Sequence, residues 1–139
     1  MRKALPLLSL LPLLPVLSLA LLLLPAGAEA HHAFAAEFDR NQPIELSGTV
    51  TKVEWMNPHA RIYIDAPDSA GVVANWNLEM GSPNGLMRQG WRRDTLQPGD
   101  AVSITGWRAR NHPHVGNIDT VRLPDGTRVF AASSANEGN

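Results

Sequence analysis

The chain has 139 residues, no cysteine, 12 Lys and Arg against 13 Asp and Glu, and 44% apolar residues that are concentrated at its start. Without the first thirty, 109 residues remain, with 10 basic and 12 acidic side chains and a net charge of −2. That length supports one small domain and not two, and the lack of a basic field argues against nucleic acid or an anionic membrane as partner.

Residues 1–30 read as a signal peptide. Met1-Arg2-Lys3 is a short basic start, Ala4 to Pro25 is almost wholly apolar, and Ala28-Glu29-Ala30 has the small-x-small pattern of a cleavage site. The apolar run exceeds the usual signal core of about 7–15 residues and approaches the roughly 20 of a bilayer span, so a retained anchor is the competing reading. Pro6, Pro12 and Pro15 would interrupt such a helix, and no basic stop-transfer cluster follows. The expectation is export to the periplasm with cleavage after Ala30 or Ala28, and no stable membrane insertion afterwards. Without cysteine there is neither a disulfide nor a lipid-modified cysteine, and packing alone must hold the fold.

Residues 31–43 form an amino-terminal arm in this reading. Phe34 and Phe38 stand at helical spacing, but the stretch is too short to hold a helix by itself. A first strand is predicted over Ile44–Trp55. Ile44, Leu46 and Val50 share one alternation and Val53 and Trp55 the other, so the strand should bend or bulge between Gly48 and Lys52. Asn57-Pro58 marks a turn, and Arg61–Asp65 is a half-buried second strand with Ile62 and Ile64 inward. A third strand spans Val72–Met80, with Ala74, Trp76, Leu78 and Met80 on one face and Asn75, Asn77 and Glu79 on the other. Ser82-Pro83 starts a helix of about two turns that Gly90 stops. Strands near Ala101–Arg108 and Asn117–Leu123 follow, Asp125-Gly126 turns into a short last strand at Val129 and Phe130, and residues 132–139 read as a disordered tail.

Three strands, a short helix and two more strands predict an all-β domain over residues 44–131. The expected architecture is a five-stranded Greek-key barrel of the oligonucleotide/oligosaccharide-binding type, whose bent first strand serves both halves. A plain antiparallel sandwich has the same elements, and the fold does not by itself give a function.

The chemistry-bearing residues are mostly histidines. His31 and His32 lie at or beside the expected new amino terminus. Cleavage after Ala30 would give an amine and imidazole clamp, and cleavage after Ala28 would put histidine third, a square-planar arrangement suited to Cu(II) or Ni(II). Trp55-Met56-Asn57-Pro58-His59 places a thioether and an imidazole on the first turn, both soft or borderline donors for copper, with an indole face nearby. This resembles, in chemistry and size, the small periplasmic copper chaperones of efflux systems, whose barrel uses His, Met and Trp. Their Met-x-Met spacing is absent here, and Met80 or Met87 would have to supply a second sulfur. The competing reading packs Trp55 and Met56 into the barrel. His112-Pro113-His114 lies in the loop between the last two long strands, as a ligand pair or as solvated loop.

No catalytic set emerges. Cysteine is absent, Ser82 is explained as a helix cap, and Glu54, Asp65 and Glu79 occupy the polar phases of strands, where solvated side chains are expected. Arg88, Arg92 and Arg93 near the helix read as a solvated face complementing the helix dipole. An enzyme is not expected.

HHAFAAEFD, GTVTKVEWMNPH, NLEMGSPN and LPDGTRVF together resemble a family of small exported bacterial proteins of unknown function, found mainly in Gram-negative species. The resemblance spans about His31 to Ala131 and implies a periplasmic setting and a compact β fold. It brings no ligand or catalytic residue, and His112-Pro113-His114 stands outside its motifs. The sequence therefore points to an exported binding protein with copper or a similar metal as ligand, held by His31, His32, Met56 and His59. The alternative is a metal-free accessory module that binds a small molecule or a partner protein through its loops.

Overall fold

The computed structural model describes residues 34–132, so the leader, His31, His32 and the tail beyond Ala132 lie outside the described residues. Six strands and one helix follow in order: β1 (Phe38–Glu54), β2 (Arg61–Pro67), β3 (Val73–Glu79), α1 (Pro83–Arg88), β4 (Ala101–Ala109), β5 (Val115–Arg122) and β6 (Arg128–Phe130). The sheet order is β3-β2-β1-β4-β5-β6, and β3 also pairs with β5. The hydrogen bonding therefore closes into a ring of five strands, with β6 appended to β5. All neighbours are antiparallel except β3 and β5, which run parallel through Asn77↔Val115, Leu78↔Gly116 and Glu79↔Asn117. The all-β class with one short helix is as expected.

The ring closes because β1 serves two neighbours. It pairs with β2 through Thr49–Glu54 and with β4 through Pro43–Thr49, and its register against β2 slips between Val50 and Lys52. This is the bulge expected from the change of phase, and the extra residue, Thr51, donates its hydroxyl to the Tyr63 carbonyl at 3.2 Å. The inward phases of the strands supply Leu46, Val50, Ile62, Ile64, Trp76, Leu78, Ile104 and Ile118, all buried in one core. Each such aliphatic side chain contributes roughly 1.5–3 kcal/mol by leaving water.

Helix α1 packs Leu86 into the same core, and Trp91 follows it there, donating Nε1–H to the Phe130 carbonyl at 2.7 Å. Ser82 caps the helix by accepting from the Gly85 amide at 3.2 Å, Pro83 occupies its first turn, and Gly90 leaves it at φ 93°. Cap, proline and stop fall where the sequence puts them.

The amino-terminal end differs from expectation. Residues 34–37 are helical and β1 begins at Phe38, six residues before Ile44. Phe34 and Phe38 are buried with Ala109 in a second, smaller core against Trp107 and Val115. The Phe34 ring meets Trp107 edge-on at 5.6 Å, and Arg110 donates its Nε–H to the Ala35 carbonyl and its backbone N–H to the Glu37 carbonyl, both at 2.9 Å. A segment too short to be helical alone is held by burying its two aromatic rings.

Candidate functional site

The outward face of β2, β3 and β5 carries a polar ladder. Alternation along β2 sends Arg61, Tyr63 and Asp65 outward while Ile62 and Ile64 fill the core, and along β3 it sends Asn75, Asn77 and Glu79 to the same side. Cross-strand pairing then sets Arg61 opposite Glu79. Just before β2, the Ala60 N–H bonds to the Gly81 carbonyl at 3.0 Å and the Ala60 carbonyl accepts from Met80 at 2.9 Å. These bonds extend the β2–β3 ladder past its end and bring His59 beside Arg61.

Glu79 is the centre of this arrangement. Its side chain is only 6% exposed, which corrects the expectation that it is solvated. Oε2 accepts from the Arg61 guanidinium at 2.7 Å, and Oε1 faces His59 Nδ1 at 3.2 Å and accepts from Asn117 Nδ2 at 3.3 Å. Arg61 also donates to Asn77 Oδ1 at 3.0 Å. Burial pushes the Glu79 carboxyl above its ordinary range, the charges of His59 and Arg61 pull it back, and the Glu37 carboxylate raises it further. Glu37 belongs to the helical segment at 34–37, so that segment lies close enough to this face to act on it electrostatically.

Asn117 is fully buried, and its position depends on a close approach of backbones. Gly106 lies against it on β4, where an added Cβ would stand 2.1 Å from the Asn117 carbonyl oxygen. Only glycine fits there, at a slip in the β4–β5 register between Thr105 and Gly106.

The residues singled out in the sequence separate into groups. His59 belongs to the cluster, half-buried with its side chain 32% exposed. Met56 is on the same β1–β2 connection and is 56% exposed, whereas Trp55 is partly buried against the main core. Met80 is buried in the core, and Met87 is exposed on α1. His112 and His114 do different things: His112 is exposed, while His114 lies edge-on to Trp76 with ring centroids 5.2 Å apart and its Nε2 3.6 Å from Asp68 Oδ2. Among the described residues, no group of three or more His, Asp or Glu side chains is placed to hold a metal ion. Sequence reasoning missed Glu79, Arg61 and Asn117. The available signal was an acid on the polar phase of a strand whose cross-strand neighbours are a basic residue and an amide, and it becomes visible only once the register is known.

Fold and site together define a small all-β protein whose strand ladder closes on itself and whose outer face buries a carboxylate among histidine, arginine and asparagine. Residues 20–118 match DUF6152, a family of unknown function, and the chain belongs to that family. The matched span includes His31, His32, Met56, His59 and Glu79. No curated protein matches the sequence. Among the described residues no helix is long and apolar enough to cross a membrane.

Proposed function

We propose that this DUF6152 protein is an exported binding protein, and not an enzyme, that holds copper or a similar soft or borderline metal. In this reading the fold is a Greek-key barrel of the oligonucleotide/oligosaccharide-binding type. The ring of five strands, the bulged β1 shared by two neighbours and the helix between β3 and β4 support it.

The observation that carries the metal proposal is the pairing of half-buried His59 with buried Glu79. A carboxylate oxygen 3.2 Å from Nδ1 favours the proton on that nitrogen and leaves the Nε2 lone pair for a ligand. Metal-binding histidines are commonly oriented by a carboxylate in this way, and here Arg61 and Asn117 fix the carboxylate in turn. Met56 is three residues away on the same connection, an exposed residue whose thioether is a donor suited to Cu(I).

His31 and His32 complete the ligand set in this proposal. They precede Phe34 by three and two residues, a reach of roughly 7–11 Å of extended chain from an anchored ring. Cleavage after Ala30 or Ala28 would add a free amine to them. The fold would thus contribute His59 and Met56, and the processed terminus the rest.

Isothermal titration of the processed protein with Cu(II), and with Cu(I) under reducing conditions, tests the proposal. At least one ion should bind tighter than micromolar, with His59→Ala weakening it at least tenfold and Glu79→Gln by about 10–100-fold. Binding of both ions weaker than about micromolar, on the order of −8 kcal/mol, would overturn it. Mass spectrometry of the protein recovered from the periplasm should find an amino terminus at His31 or Glu29.

A further inference from the structure

The outward face of β1, β4, β5 and β6 carries a charge arrangement that works against the sheet. Antiparallel pairing sets Arg122 of β5 directly opposite Arg128 of β6, both exposed. Like charges at directly opposed positions repel and weaken a strand pair, and β6 has only three residues with which to hold on. Neither guanidinium lies within ion-pair distance of a carboxylate among the described residues. Their contacts are neutral: Arg122 donates to the Gly126 carbonyl at 3.1 Å, and the Arg128 guanidinium carbon lies 5.9 Å from the centre of the Phe130 ring. Each guanidinium has five N–H donors, so these contacts leave most of them for another partner.

The two arginines share a cavity of about 290 Å³ with Thr105, Thr120 and Glu45. The register explains this company. Glu45 of β1 pairs with Thr105 of β4, Thr105 pairs with Thr120 of β5, and Arg122 is the next outward residue along β5. The Thr105 and Thr120 hydroxyls lie 2.7 Å apart, and the single hydrogen bond between them uses one of their two protons. Thr120 is 4% exposed and has no other acceptor among the described residues, so its proton goes to Thr105. The exposed Thr105 then keeps its own O–H for a ligand. The cavity thus offers two cations and a hydroxyl donor together, and Glu45, the one acid in its wall, stands two strands from Arg122, roughly 10 Å across the sheet.

We propose that this cavity binds the phosphate group of a small phosphate monoester. Arg122 and Arg128 bracket the phosphate, and Thr105 donates to a further oxygen. A phosphate monoester carries a charge of about −1.5 to −2 at neutral pH, which answers both guanidiniums, where a carboxylate answers only one. With the anion in place the opposed arginines share a partner instead of repelling each other. Glu45 excludes a second anion on the ligand, so the remainder is neutral or cationic, and a volume below the roughly 300–1,000 Å³ of pockets for drug-sized ligands limits it to a few heavy atoms. The net charge of −2 over residues 31–139 makes a free small molecule, and not an anionic lipid surface, the source of the phosphate. The proposal does not rest on metal binding at His59.

Backbone and arginine side-chain N–H signals in a ¹H–¹⁵N spectrum of the processed protein read the site. O-phosphoethanolamine, added at constant ionic strength near neutral pH, should move the signals of Thr105, Arg122 and Arg128 saturably, with half-saturation at millimolar concentration or below, while acetate at the same concentration moves them little. Arg128→Gln should weaken binding at least tenfold, and Thr105→Val, which keeps the shape and loses the hydroxyl, several-fold. Signals still unsaturated at about 50 mM, an equal response to acetate, or wild-type affinity in Arg128→Gln would overturn the proposal. So would binding to vesicles containing phosphatidic acid with none to the soluble ester. Arg122→Gln repeats the comparison on the opposed arginine; if loss of its bond to Gly126 disturbs the turn, Arg128→Gln decides.

Discussion

Glu54 and Glu79 sit on the polar phases of two strands, each meets a basic residue and a second donor, and they end in opposite electrostatic states. Glu54 pairs with Lys52 and accepts from the Tyr63 hydroxyl at 3.0 Å, with its side chain 22% exposed. Those hydrogen bonds hold its carboxyl below the ordinary range. Glu79 has Arg61, His59 and Asn117, more partners than Glu54, and its carboxyl is nevertheless raised because burial outweighs them. Partner number does not decide the matter. What decides is how far the side chain is shut off from water: that of Glu79 is 6% exposed and that of Glu54 22%.

Removing the two acids in turn should separate them most widely. Glu79→Ala leaves the Arg61 guanidinium without its carboxylate in a partly dry site, and should lower stability in urea by about 2–4 kcal/mol, reduced from the full cost of breaking a buried pair because the Arg61 side chain is 28% exposed. Glu54→Ala should leave the urea midpoint close to that of the wild type. Equal shifts would mean that burial is not what distinguishes them.

A smaller effect should come from the backbone that positions Asn117. Gly106→Ala drives a methyl into the Asn117 carbonyl and should cost about 1–3 kcal/mol, with the amide signals of Asn117 and Glu79 moving together. Movement of the β4 amides alone would show that Asn117 does not depend on this approach.

The smallest effect belongs to the exposed turn at Asp68. Its carboxyl is held below its ordinary value of 3.8 chiefly by the Val72 and Ala70 amides. A depressed folded value stabilises the fold above the unfolded pKa, and that gain is lost as pH falls through the folded value. Asp68→Asn should therefore be slightly less stable than wild type near neutrality, and the gap should close below about pH 4 in urea melts. A gap that widens on acidification would reverse the sign.

The local parts of this fold are legible in the sequence because local chemistry dictates them. The phase change in β1 becomes the slip between Val50 and Lys52, Ile62 and Ile64 alternate into the core, and Ser82, Pro83 and Gly90 start and stop the helix. The phase of Glu79 is equally legible, since it faces away from Trp76, Leu78 and Met80 as expected. Its burial is not, because its partners Arg61 and Asn117 come from β2 and β5, elements distant in sequence. Phe34 and Phe38 were visible as a spaced pair, but their partners Trp107 and Ala109 lie about seventy residues on. The parallel pairing of β3 with β5, which brings Asn117 to Glu79, has no signature in periodicity.

The account rests on His59 presenting Nε2 outward because Glu79 faces Nδ1. A long-range ¹H–¹⁵N spectrum of the histidine rings, recorded on the processed protein before and after adding Cu(I), reads this directly. The neutral His59 ring should carry its proton on Nδ1, and Cu(I) should shift Nε2 while Nδ1 keeps its proton. A proton on Nε2 in the free protein, or an Nε2 resonance unmoved by saturating Cu(I), would contradict it.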